Sequence, residues 1–170
     1  MKSIEIILIN FSEIRRRSIK LWEGIPDEFL NWRPDKKAFS IIEMIRHTLE
    51  GEHLFHMIIE NRGDLGDYVS PWKNVAYSTL KNELDFAQNY HNQFLRMIEE
   101  LDENDLNTIR IERKEVGQSK ILGDYLNRIA YHEAVHTGQM LGYLRTLGIK
   151  RPQIFLTEPI MDLAQKALQP

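Results

Sequence analysis

Apolar residues return with the spacing of an α-helix in four long stretches of the chain, separated by segments rich in glycine, proline and aspartate. From Ile4 to Trp22, the residues Ile4, Ile7, Leu8, Phe11, Ile14 and Leu21 share one stripe. This predicts an amphipathic helix that ends near Gly24 and Pro26. A loop follows to Phe39, and its Trp32 is expected to plug one end of the core. Ser40-Ile41-Ile42-Glu43 is a capping box, in which serine accepts from an unpaired amide and glutamate reaches back. The second helix therefore runs from Ile41 to about Glu60. Its apolar arc holds Ile41, Met44, Thr48, Gly51, Leu54, Phe55 and Ile58, with His47 inside it. His53 is expected on the polar side with Arg46 and Glu60, and His56 also faces away from His47.

Asn61-Arg62-Gly63-Asp64 ends this helix, and a third is predicted from near Ser78 to Leu101. Its stripe contains Leu80, Leu84, Ala87, Phe94, Ile98 and Leu101, and His91 lies on it, a candidate cleft residue. Thr108 to Ile111 alternates and reads as a short extended piece, too little for a sheet of its own. Ser119 is read as the cap of a fourth long helix that stops at Gly148. One face of that helix carries Ile121, Tyr125, Ile129, His132, His136, Gln139, Met140 and Tyr143. Thr157-Glu158-Pro159 reads as the start of a short terminal helix. The pattern is that of an all-α protein: one domain over residues 1–170, a four-helix bundle with a short extra C-terminal helix. The loops on either side of the second helix exceed a tight turn, so simple up-down order does not follow.

Composition narrows the function classes. A hydrophobic share of 42% with 28% charged residues is that of a globular protein. A net charge of -3 argues against broad nucleic-acid binding. The longest basic run, Arg15-Arg16-Arg17, is read as a solvated helix face ahead of a small phosphate patch. The absence of cysteine removes disulfides, thiolate ligands and cysteine nucleophiles. Met1 to Phe11 is apolar enough to mimic a signal peptide, but Glu5 interrupts it and Glu13 with three arginines follows. No stretch approaches a membrane span. The expectation is a cytoplasmic protein with no membrane partner.

Candidate chemistry concentrates in His132-Glu133-Ala134-Val135-His136. Histidines four apart lie one helical turn above each other, as two imidazoles must to share a metal ion. With His47 they make three imidazoles on the inward faces of two helices, the donor set of a catalytic-type metal centre with one open position. Zinc or nickel ranks first as the ion, and manganese or iron also suits the set. Packed histidines with ordinary hydrogen bonds are the other reading of the same spacing. The zincin protease signature is also matched, with Glu133 as base. The longer metzincin form is absent, since Gln139 and Gly142 stand where glycine and histidine would be. A third ligand at Glu158 would lie beyond a proline-containing loop, and little strand is present to bind peptide, so a protease is disfavoured.

Trp32-Arg33-Pro34, Ser40-Ile41, His47, and His132-x-x-x-His136-x-Gly138-Gln139 followed by Leu144-Arg145 and Gly148 occur in one order and spacing. In these marks the chain resembles the DinB-like (DinB/YfiT) metal-binding proteins, from the first helix to Gly148. The resemblance implies an antiparallel-type four-helix bundle, a metal triad at His47, His132 and His136, and a homodimer. It also implies a metal-dependent enzyme, foremost an S-transferase that joins a small thiol of the bacillithiol type to small electrophiles. A hydrolase of a small ester or amide and a non-enzymatic, stress-related metal-binding protein are the alternatives. Glu133 is the expected catalytic base, and Gln139 the group expected to orient a histidine.

Overall fold

The computed structural model describes residues 1–155, so the expected terminal helix at Thr157 and the residue Glu158 lie outside the described residues. Four long helices form where the periodicity places them: α1 (Ser3–Glu23), α2 (Ile41–Glu60), α3 (Leu80–Glu99) and, after a single turn α4 (Asp105–Thr108), α5 (Leu122–Thr146). Ser40 caps α2 as expected: its Oγ accepts from the Glu43 amide, and its own amide donates to Glu43 Oε2 at 2.7 Å. At the start of α1 a distant side chain does the equivalent work. The Glu103 carboxylate accepts from the amides of Ser3 and Ile4 at 3.1 and 3.0 Å, satisfying donors that no helical carbonyl can reach. Gly148, at φ +70°, closes α5 with its neighbour Ile149 donating back to Leu144, a left-handed cap that suits glycine.

Two apolar clusters lie at opposite ends of the bundle. One gathers Leu21, Trp22, Ile41, Ile45, Ala87, Met140 and Leu144. The other gathers Ile4, Phe11, Ile58, Phe94, Ile98, Leu122 and Leu126. Following each helix from one cluster to the other gives its direction. α1 and α5 run one way, and α2 and α3 run the opposite way. Around the bundle the order is α1, α5, α2, α3. The order is therefore up-down-down-up, and the neighbours α2 and α3 are parallel rather than antiparallel. Residues 61–79 make this possible: a connection that returns to the starting end must span a helix of about 30 Å, and a 2–5-residue turn cannot. Trp72 of this connection is buried against Phe86 and Tyr90.

A short hairpin precedes α5. Strand β1 (Arg110–Arg113) pairs antiparallel with β2 (Gln118–Ile121), with Arg110 opposite Ile121. Ser119 lies inside β2, where its hydroxyl accepts from Arg110, and α5 begins three residues later than its expected cap. Ile111 explains the piece: it is fully buried, while Gly63 packs flat against Glu112, where a Cβ would come within 2.4 Å of the carbonyl oxygen.

The polar side expected for α2 is also covered. Arg46 is buried in an ion pair with Glu83 of α3, its Nε 2.9 Å from the carboxylate, beneath the Tyr77 ring. His53 packs on Tyr90 at 4.4 Å between ring centroids, and His56 packs on Phe94. Burial lowers the proton affinity of both imidazoles, and for His53 the neighbouring His56 adds to it. An imidazole that resists protonation only when folded stabilises the fold above its unfolded pKa and loses that contribution as acid is added. The thermal midpoint of the metal-free protein should therefore drop as pH falls below about 6.5, with a shallower drop in His53→Phe. Identical slopes for the two proteins in calorimetry would contradict this role for His53.

Candidate metal centre

His47 from α2 and His132 and His136 from α5 meet in the groove between these antiparallel helices. The i,i+4 spacing sets the two α5 rings edge to face with centroids 4.6 Å apart, and the His47 ring approaches both from α2. His132 Nε2 lies 3.1 Å from His47 Nε2 and 3.1 Å from His136 Nε2. All three candidate ligand atoms fall within 4.8 Å of one another. Two imidazole nitrogens on one tetrahedral zinc would be about 3.3 Å apart, given bonds of about 2.0–2.1 Å. The donor set fits a single small divalent cation.

Several features prepare the rings. His136 Nδ1 donates to Gln139 Oε1 at 2.7 Å, which leaves the Nε2 lone pair directed at the other two rings. Gln139 thus occupies the orienting position expected of it. Gly51 lets His132 lie over the α2 backbone: a Cβ there would be 3.1 Å from the ring carbon Cε1. Burial, then the charges that His136, His47 and Arg128 would carry, lowers the His132 pKa to about 4. Burial and His136 also lower that of His47, with Glu50 opposing. Neutral imidazole is the form that coordinates a metal. All three imidazoles are partly exposed. Phe39, 45% exposed, stacks on His47, and the Phe55 ring stands edge-on to His132. A surface cleft of about 850 Å³ beside Ile6, Glu103 and Asn107 lies elsewhere and contains none of these residues.

Glu133 stands apart from the three imidazoles. It is 6% exposed, and both its oxygens accept from Arg15, Oε1 from Nε at 2.9 Å and Oε2 from Nη2 at 3.0 Å. A carboxylate bound in this way is an ion-pair partner, not a base free to face a substrate. Arg15 also departs from expectation: the basic run does not form a uniformly solvated face. Arg16 and Arg17 pair with Glu13 outside, while Arg15 turns inward and also meets Glu52 at 3.1 Å. Glu52 in turn accepts from His91 Nδ1 at 2.9 Å, so His91 belongs to this network and not to the histidine triad. Burial would weaken the charge on Arg15, but Glu52 and Glu133 more than offset it and raise its pKa. Burial likewise opposes ionisation of Glu52, and Arg15 and His91 overcome it. A signal for this network was present in the sequence. Arg15, Glu52 and Glu133 each sit on the apolar stripe of their helix, four residues after Phe11, Thr48 and Ile129 respectively.

No helix among the described residues is long and apolar enough to cross a membrane. Over 143 residues the chain is 26% identical to YjoA of Bacillus subtilis (strain 168), itself described as uncharacterized, covering 84% of this chain and 89% of the relative. A crystal structure of that DinB-like protein superposes with a TM-score of 0.66 at 22% identity, covering 89% of this chain and 99% of the other, and supports the fold alone. The sequence pattern of the DinB superfamily matches residues 10–140, well over half the chain. By that match, and with a helical bundle and three grouped histidines compatible with metal binding, this chain belongs to the DinB superfamily.

Proposed function

We propose that the protein is a metal-dependent S-transferase, in which His47, His132 and His136 hold a divalent ion and a small thiol is joined to a small electrophile. The observation that carries this reading is the convergence of three partly exposed imidazoles, one ligand short of a tetrahedral shell among the described residues. A structural metal site is closed, whereas a catalytic one keeps a position for its reactant. The ion would supply Lewis acidity, lowering the pKa of a thiol at that position. The chain itself positions and shelters. Gln139 fixes the His136 tautomer, and Phe39 and Phe55 give the groove apolar walls beside the rings. Arg128, close enough to act on the His132 charge, favours an anion such as a thiolate.

Thiol transfer is favoured over ester or amide hydrolysis by the state of Glu133. Hydrolysis calls for a base beside the reacting water, and the carboxylate expected to serve is committed to Arg15. An acidified thiol that displaces a halide-type leaving group needs no such group, whereas an ester or amide still needs a proton for its leaving group even where the ion acidifies the attacking water.

His47→Ala and His132→Ala should each leave the purified protein with little bound metal by elemental analysis, while His53→Phe should retain the wild-type amount. Equal loss in His53→Phe would remove the basis for singling out His47. Protein reconstituted with zinc or nickel should consume bacillithiol and 1-chloro-2,4-dinitrobenzene together, releasing chloride, at a rate that falls to the uncatalysed background on chelation. Thiol-independent cleavage of a small ester by the same preparation would turn the assignment to a hydrolase. Full metal occupancy with neither activity would turn it to a non-enzymatic binding protein.

A further inference from the structure

One buried guanidinium grips both helices of the triad next to the point where they touch. Glu133 directly follows His132 on α5, and Glu52 directly follows Gly51 on α2. Gly51 is where the His132 ring lies against α2. Arg15, reaching across from α1, pairs with both carboxylates at 2.9–3.1 Å, and its side chain is 7% exposed. The ring of connections is completed by α3, whose His91 donates to the second oxygen of Glu52. Thr137, one turn beyond Glu133, adds a contact of 2.9 Å to Ser18 of α1. These groups form a polar belt between the two apolar clusters, at the level of His132 and His136 along α5.

We infer that Arg15 is a positioning residue for the histidine triad: by binding Glu133 and Glu52 at once, it sets the separation of α5 from α2 and so the approach of His132 to His47. The inference rests on the metal-binding reading for its consequence, but not for its geometry. A bidentate guanidinium constrains the direction as well as the distance of its partner, and a triad held within about 0.5 Å of its working geometry needs such support. Apolar packing alone leaves helices freer to slide, because it is not directional.

Arg15→Met, with Glu52→Gln and Glu133→Gln added so that no buried charge is left alone, is compared with Phe94→Leu. The latter opens a void in the far apolar cluster and leaves the belt intact. Zinc affinity is read by chelator competition, the cobalt(II) absorption band reports ligand geometry, and the thermal midpoint of the metal-free protein reports stability. The Arg15 variant should bind zinc about 10- to 100-fold more weakly with a shifted cobalt band, whereas Phe94→Leu should lose midpoint temperature and keep both. If the triple variant does not fold, Glu133→Gln alone carries the same comparison, with Arg15 still paired to Glu52. Nuclear Overhauser contacts between the His47 and His132 rings in metal-free protein test the geometry even should no metal bind: they should weaken in the variant. Failure of the wild type to bind zinc or cobalt while those contacts do weaken would overturn the metal reading and leave the positioning role standing. Affinity, cobalt band and ring contacts all unchanged in a folded Arg15 variant would overturn the positioning role.

Discussion

The close approach of α2 and α5 at Gly51 is the constraint on which the candidate centre depends. A side chain there would press on the His132 ring, and without one the ring reaches over the α2 backbone toward His47. Because the two helices run in opposite directions, one turn of α5 presents two imidazoles to a single turn of α2. The third nitrogen then needs no loop to deliver it. Helices position side chains more exactly than loops do, so the geometry of the centre is inherited from helix packing.

That packing has a cost. The bundle interrupts its core with charged groups, and removing one partner of such a buried set typically costs about 3–5 kcal/mol. An apolar core would be simpler and often no less stable. The polar belt is placed where four helices pass the triad, with Arg15, Glu52, His91 and Glu133 each contributed by a different helix. Directional hydrogen bonds there specify one register between α1, α2 and α5, while the apolar clusters above and below supply the bulk of the burial.

Much of this was legible in the chain. The 3.6-residue period located all four helices, and the capping box located the first turn of α2; the grounds for setting His47 apart did not hold, because His53 and His56 are both buried while His47 is partly exposed. What escaped was what local pattern does not encode. The parallel run of α2 and α3 depends on where a long connection returns, which no stripe records. The hairpin was half visible because Gln118-Ser119-Lys120-Ile121 has no apolar alternation to match Ile109 and Ile111. Arg15 was hidden in a run of three basic residues, although its place on the stripe of Phe11 marked it as inward. Glu133 looked like a base because it stands beside a ligand-type histidine. Neighbours in a helix point about 100° apart, and its side chain instead faces α1.

X-ray absorption at the metal edge of protein isolated without added metal tests the central claim most directly. The account predicts a single ion with three imidazole nitrogens at about 2.0–2.1 Å for zinc, plus an additional ligand position that exchanges when a small thiol is added and then shows sulfur scattering. An ion surrounded by oxygen ligands alone, or a closed shell that the thiol leaves unchanged, would contradict it.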